Sequence, residues 1–538
     1  MKDTRFLTDL AEQIAGMFDE FNEARNSQLS DIQTLTERIY GLKQNSNAGW
    51  ASDLELPDLW EQCQTMKAHI IDILYSHPEG LFDVTSTKAE NSNLALKQKA
   101  MLVHAFEQMN VREQIEKIVD NIVETGECTL FIGWENRQKG LRRWAGQNYE
   151  ITHKTIFDGA SVKTIAPQDF VFDVSRVANW ESCPKIYRAY LDLEELKANV
   201  HNDLGNSKIV NELLEGALSS TKNKLKGFKD GLIEVLEFWG DIRVPSKNDC
   251  ANDSHVLKNQ LIVVAARRAV VRFEDNPYIN SPFVYANLIE NPITKRGVSP
   301  LKPILALNSV ASSILNRQLD AYSLIVNPPY LAPKGAFKGE QAVSPGKIIE
   351  YDSSLLPQMP VPLNFSPALA GWDFIQYFKN AIESATGVYR TMGGSVASNS
   401  RTATEILQSA NGQSARINLI IDSINRKIIL PMVQKVGDTI ANFMCGAGDD
   451  ELHNCDYVYR YSDRKASYER HFRQKETAET IVRFSQIPEF SSKINWKECF
   501  KFALEQLGVE NSNMFLVSQE SEGSEEGALT KGESGEPI

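Results

Sequence analysis

Residues Asn327 to Leu369 read NPPYLAPKGAFKGEQAVSPGKIIEYDSSLLPQMPVPLNFSPAL and hold eight of the chain's 21 prolines. Proline has no N–H to donate and a fixed φ, so this density forbids a long helix or a central strand. A small module of short strands and turns is expected instead. Helical patterns flank it. Upstream, Pro300 and Pro303 open a run with Leu301, Ile304, Leu305, Ala311, Leu315, Leu319 and Tyr322, stopped by Asn327-Pro328-Pro329. Downstream, Trp372, Ile375, Phe378 and Ile382 keep helical spacing from about Ala370 to Gly387.

Beyond Gly387 the stretch Met392-Gly393-Gly394-Ser395-Val396-Ala397-Ser398-Asn399-Ser400 is small and polar and reads as a flexible loop. Thr402 then offers an N-cap, with Glu405 three residues on as its capping-box partner. The helix it opens is the longest expected, with Ile406, Ile417, Ile420, Ile424, Ile428, Met432, Val436, Ile440 and Phe443 at helical spacing up to Cys445. Pro431 lies inside it and predicts a bend.

The N-terminal part predicts helices through Phe6–Phe21, Leu29–Ile39, a third starting at Pro57-Asp58, then Ser92–Gln108 and Val111–Thr125. A mixed region follows. Strands are expected at Thr129–Trp134, Tyr149–Ile156, Phe170–Asp173, Ile233–Trp239 and Leu261–Phe273, with helical segments at Leu193–Val200 and Ile209–Ala217. No βαβ alternation appears, so the expected class is α+β, mostly helical, and not a doubly wound nucleotide-binding sheet. Helices are also expected at Arg464–Phe484 and Trp496–Leu507, and Glu520–Ile538 reads as a disordered acidic tail.

With 538 residues, 42% of them hydrophobic and 24% charged, the chain can bury a sizeable core. Its net charge of −13 argues against tight wrapping around nucleic acid, which depends on Lys and Arg neutralising phosphates. That charge is compatible with a wall past which DNA slides. No signal peptide or membrane-spanning run is read, and seven scattered cysteines with no CxxC pair point to reduced thiols.

Chemical motifs are missing where an enzyme would need them. Gly346-Lys347 continues with Ile348 and is no phosphate-binding loop; no GxSxG or HExxH occurs. The cluster Asp449-Asp450-Glu451-Leu452-His453-Asn454-Cys455-Asp456 is first a solvated turn and only second a metal site. The basic run Arg460, Arg464, Lys465, Arg470, Arg473 and Lys475 is interleaved with Asp463, Glu469 and Glu476, which favours a solvated face over a DNA contact. Arg267-Arg268 and Lys295-Arg296 are open to either reading, and Trp60, Trp134, Trp239 and Trp372 are expected in the core. No catalytic residue, cofactor or metal ligand is assigned.

The order helix, proline-rich module, helix, glycine loop, long bent helix resembles the portal, or head-to-tail connector, proteins of tailed bacteriophages, podovirus type. Gly297-Val298-Ser299-Pro300 with Asn316-Arg317-Gln318-Leu319-Asp320 resembles that family's first stem segment. Ala385-Thr386-Gly387-Val388 and Arg401-Thr402-Ala403-Thr404-Glu405 resemble the segments that bound its tunnel loop, and Ala166-Pro167-Gln168-Asp169-Phe170-Val171-Phe172-Asp173 resembles a wing segment. The resemblance spans about Leu56 to Cys445.

It implies a wing over 1–299, a first stem helix over 300–326, a clip over 327–369 and a second stem helix over 370–387. A tunnel loop over 388–401, a kinked wing helix over 402–445, a crown over 446–519 and the tail over 520–538 complete the map. Such a protein is a structural subunit of a dodecameric ring at one capsid vertex of the virion, assembled in the host cytoplasm. Its implied partners are the major capsid protein, the scaffold, the terminase packaging motor, the head-tail adaptor and double-stranded DNA passing without sequence preference, with no membrane. Arg390, Gly393, Gly394, Ser395, Asn399 and Arg401 are the candidates for the DNA channel; Tyr330, Lys334, Phe337 and Lys338 are the candidates for clip contacts. Arg390 and Arg401 either touch phosphates or pair with carboxylates such as Glu383 and Glu405. The small residues Ala311, Ser312 and Ser313 are expected to permit close approach of a neighbouring subunit. The rival readings are another ring-forming virion protein (an adaptor or minor capsid protein), a hydrolase with its site on the α+β region, and a non-viral helical scaffold.

Overall fold

The apolar runs around Leu236 and Ile262 lie in neighbouring strands of one antiparallel sheet, and both faces of that sheet are covered. The computed structural model of the protein describes residues 4–42, 51–75, 81–86, 91–144, 146, 149–192, 195–196, 228–229, 232–245, 254–333, 348–351, 361–362, 371–388, 416–444 and 457–461. The sheet runs β4 (Phe170–Phe172), β5 (Lys185–Leu191), β7 (Leu232–Pro245), β8 (Ser254–Ala265) and β9 (Ala269–Asp275), with β6 (Phe228–Lys229) also paired to β7. Alternate residues serve opposite faces, as the two-residue period of a strand requires. Leu236, Phe238, Ile262 and Val264 meet Leu7, Leu10, Ile14 and Phe18 of helix α1 (Thr4–Glu23). Val235, Trp239, Leu261 and Val263 face the other way, toward Phe170, Phe172 and Phe283. Burying each large side chain of α1 contributes about 2 kcal/mol, which is what seats this N-terminal helix.

A second core holds the helices α2 (Asn26–Ile39), α3 (Asp58–Leu74), α4 (Ser92–Gln108) and α5 (Val111–Thr125) together. Against them lies a three-stranded sheet in the order β10 (Phe283–Asn287), β2 (Glu127–Trp144), β3 (Tyr149–Ile165). A helix over 416–444 packs there too, through Ile417, Ile424, Ile428, Met432 and Val436. The break expected at Pro431 takes the form of a π-turn over Asn425–Ile429, where the Leu430 N–H reaches back to the Asn425 carbonyl. Pro431 has no N–H and its ring crowds the preceding turn, and a widened turn relieves both. Strand β1 (Phe82–Ser86) pairs with β16 (Tyr457–Tyr461), bringing the residues after the long helix back to the N-terminal region.

The helix opened by Pro303 is α6 (Lys302–Val326), and the one carrying Ile375 is α7 (Gly371–Thr386); the two pack on each other. Between them in sequence, β13 (Tyr330–Pro333) pairs in parallel with β14 (Ile348–Tyr351) and antiparallel with β15 (Val361–Pro362). Pro333 and Pro362 end their strands, where a missing N–H is tolerated.

Three local expectations change. The strand read through Leu261–Phe273 is a hairpin, β8 and β9, turning at Ala266 and Arg267 with φ of 48° and 63°. No glycine or asparagine marks that turn; Arg267 is held in it by Glu234 at 2.5 Å and Asp19 at 2.7 Å. Its ambiguity therefore ends as a structural anchor. Ala311 and Ser312 are buried inside the subunit, and only Ser313 faces out. Trp239 is in the core as expected, but Trp60 and Trp372 are about half exposed. Helical spacing identifies the apolar stripe without saying what covers it.

Candidate functional site

The six DNA-channel candidates, Arg390, Gly393, Gly394, Ser395, Asn399 and Arg401, lie outside the described residues, as do Lys334, Phe337 and Lys338. Tyr330 belongs to β13, in register with Ile348 and Pro362. The Asp449–Asp456 cluster and the basic run from Arg464 onward are also outside; Arg460 is exposed on β16.

Two surfaces stand out among the described residues. The first is on α6 and α7. Pro303, Ala306, Val310, Ser313 and Arg317 are exposed at alternating spacings of three and four, one face of a helix with no carboxylate. Toward the module, Tyr322 and Val326 end α6 exposed, the latter 73%. Trp372, Phe374 and Tyr377 open α7 at 51%, 55% and 66% exposure. The inner face of α7 is fixed by Ile375 and Ile382, by Lys379 paired to Asp58 at 3.2 Å, and by the Thr386 hydroxyl donating to Gln62 at 2.8 Å. The aromatic collar is thus held outward by a well-anchored helix.

The outer edge of α6 carries an extended segment. Ser312, Asn316 and Asp320, four residues apart, accept the N–H groups of Leu56, Leu54 and Ser52 at 3.0, 2.9 and 2.7 Å. Four helical residues rise about 6 Å and two extended residues about 6.6 Å, so the two repeats stay in step over this length.

The second surface is the far half of the β2–β3 hairpin. The 18-residue and 17-residue strands stay paired from Thr129↔Ile165 to Trp144↔Tyr149, with one irregularity at Arg137/Gln138. Residues 136–142 and 152–156 are exposed. Over 136–156 the ribbon has five basic residues, Arg137, Lys139, Arg142, Arg143 and Lys154, against one carboxylate, Glu150, in a chain of net charge −13. Lys139 sits directly opposite Lys154, a pairing of like charges that opposes the strand register. Neither has a carboxylate partner among the described residues, whereas Arg137 pairs with Glu135 at 3.3 Å. Trp144, 59% exposed, is at the end of the ribbon. The sequence reading missed this feature; its signal was Arg137, Lys139 and Arg143 recurring at even spacing beside a strand.

Among the described residues no three His, Cys, Asp or Glu side chains gather closely enough to hold a metal ion. Cys63 and Cys128 are buried, and burial pushes the Cys63 thiol up to about 12, so it stays protonated and unreactive. No helix among the described residues is long and apolar enough to cross a membrane. The chain matches no known family model, and no curated protein matches it significantly.

Proposed function

We propose that this protein is a structural portal subunit, forming a ring at one capsid vertex of a tailed bacteriophage through which double-stranded DNA enters and leaves. The observation that carries the reading is the exposed apolar collar on two packed helices that flank a small three-stranded module. Exposed patches of this kind mark protein contacts, and a heterologous contact repeated by rotation closes into a ring. In this reading α6 and α7 are the stem helices and meet their neighbours through Val310, Tyr322, Trp372 and Tyr377. The 327–369 module is the clip, offered to the packaging motor and then to the adaptor. The basic ribbon adds a DNA contact: a two-stranded ribbon fits a major groove about 12 Å wide, and its lysines and arginines neutralise phosphates. The bulk of the surface, acidic overall, leaves DNA free to slide.

Negative-stain imaging and mass measurement of the purified full chain test the reading. Rings with a central hole and radial subunits are expected. Trp372→Glu with Tyr377→Glu should give folded monomers with unchanged circular dichroism. Monomers or closed dimers from the unsubstituted chain, across a range of ionic strength, would remove the portal assignment.

A further inference from the structure

Two buried guanidiniums lie beside a single buried carboxylate, and only one of them is paired with it. Arg25 and Arg296 are each 3% exposed and Glu127 is 2% exposed. Arg25 holds one Glu127 oxygen at 2.7 Å and donates to the carbonyls of Pro167 and Phe170, also at 2.7 Å. The other Glu127 oxygen accepts from the Tyr285 hydroxyl at 3.0 Å and from Gln28 at 3.3 Å. Both oxygens are therefore committed, and Arg296 receives neither. Its guanidinium lies 3.7 Å over the Phe172 ring, and its Nε and Nη1 have no hydrogen-bond partner. Burial, and then the charge of Arg296, pull the Arg25 guanidinium below its ordinary pKa against the opposing pull of Glu127.

A cleft of about 380 Å³ opens onto this group between α2 and the turn that joins β11 (Ile289–Glu290) to β12 (Gly297–Val298). Arg25, Gln28 and Arg296 line it, with Phe21, Ile32 and Val298 as apolar walls. At its edge Lys302 and Asp31 neutralise each other at 2.6 Å, and Ile293 stands 88% exposed. One positive charge is thus left over at the bottom of a largely apolar recess.

An unmatched buried charge is expensive, by several kcal/mol in a folded protein. A guanidinium fork is met best by a planar carboxylate, which accepts two parallel N–H bonds. A single negative charge completes the balance, whereas a phosphate dianion would overshoot it beside Glu127. The apolar walls match aliphatic neighbours of the acid, and the volume is in the range of ordinary ligand sites.

We infer that this cleft receives one acidic side chain, flanked by aliphatic residues, from a peptide segment of a partner protein, with its carboxylate on Arg296. The inference is independent of the ring reading, because it concerns α2 and the 291–296 turn and not the exposed collar.

The test titrates the full chain with acetyl-Leu-Glu-Leu-amide, the matching Leu-Gln-Leu peptide and inorganic phosphate. The glutamate peptide should bind at least about tenfold more tightly than the glutamine peptide, the gain of one charge-assisted bidentate contact. Arg296→Met should reduce that ratio to about one. Ser27→Trp, which fills the cleft from the exposed start of α2, should abolish binding while leaving the buried charges in place; it carries the test alone if Arg296→Met fails to fold. Equal affinity for the two peptides, no saturation by the glutamate peptide, binding that survives Ser27→Trp, or phosphate displacing the peptide at lower concentration each overturns the assignment.

Discussion

Gly126 and Gly297 cross backbone to backbone, so closely that a β-carbon on Gly297 would lie 2.2 Å from the Gly126 carbonyl oxygen. Gly126 ends α5 with φ of 81°, a left-handed conformation that favours glycine. Its carbonyl accepts the Leu288 N–H at 2.9 Å, and two residues past Gly297 the Ser299 hydroxyl donates to Val123 at 2.7 Å. This crossing sets the floor of the Arg296 cleft and the starting point of α6. Gly297→Ala should lower stability by about 2–4 kcal/mol, in the range of overpacking with backbone displacement. Gly16→Ala, on the exposed face of α1 with nothing within 4 Å, should raise it by up to about 1 kcal/mol. Thermal unfolding of the two variants side by side checks both signs.

Lys185 is fully buried, donating to the carbonyls of Trp180 and Cys183. Burial pulls its ammonium down to about 8, well under its ordinary value. Between about pH 8 and 10 this side chain therefore holds its proton in the unfolded state and not in the folded one, and its own contribution to stability rises with pH. A shift of this size contributes up to about 3 kcal/mol across the interval. Tyr459, pushed up to about 12 by burial, works in the opposite sense above pH 10, where its unfolded form ionises first. Unfolding midpoints from pH 7.5 to 10 should climb in the natural chain relative to Lys185→Met. Parallel curves would show that Lys185 keeps its proton in the folded state up to pH 10, so that burial does not lower its pKa.

How much of this was readable depended on the range of the interaction. Helices α4 and α5 run Ser92–Gln108 and Val111–Thr125 as their apolar spacing predicts, because each helix is specified by neighbours three and four residues away. The pairing of Phe82 with Tyr461 is not local and left no mark in either five-residue stretch. The β8–β9 turn was hidden for a different reason: Arg267 takes a conformation that sequence patterns assign to glycine or asparagine, and the ion pair to Glu234 that supports it comes from another strand. At the exposed surfaces, periodicity found the α7 stripe but assigned Trp372 to the core. The strands expected at Thr129–Trp134 and Tyr149–Ile156 are the two arms of the Lys139–Lys154 ribbon, but the first continues to Trp144 and the second to Ile165, because charged residues on an exposed strand carry no apolar alternation to mark its length.

Glu127→Gln should be far more damaging than loss of an ordinary surface ion pair. It would leave Arg25 and Arg296 buried together without a counter-charge, and removal of one member of a buried pair costs about 3–5 kcal/mol. Arg38→Gln, which loses a pair to Glu55 at 3.2 Å with both side chains partly exposed, should change stability by less than about 1 kcal/mol. Comparing the two by chemical denaturation separates a buried charge centre from surface decoration.

The ribbon makes a prediction about DNA that is separate from ring formation. If Lys139, Arg142 and Lys154 each neutralise one phosphate, replacing all three with Gln should reduce the slope of log affinity against log salt by about 2–3, since each contact releases close to one counterion. The affinity for unrelated duplex sequences should fall by the same factor, because phosphate contacts carry no sequence information. All three side chains are exposed, so the variant should keep its unfolding midpoint. Any change in that midpoint should be upward, because Lys139 no longer opposes Lys154 across the strand pair. Filter binding of a random 30-base-pair duplex at several salt concentrations provides the measurement. An unchanged slope would remove Lys139, Arg142 and Lys154 from the DNA contact.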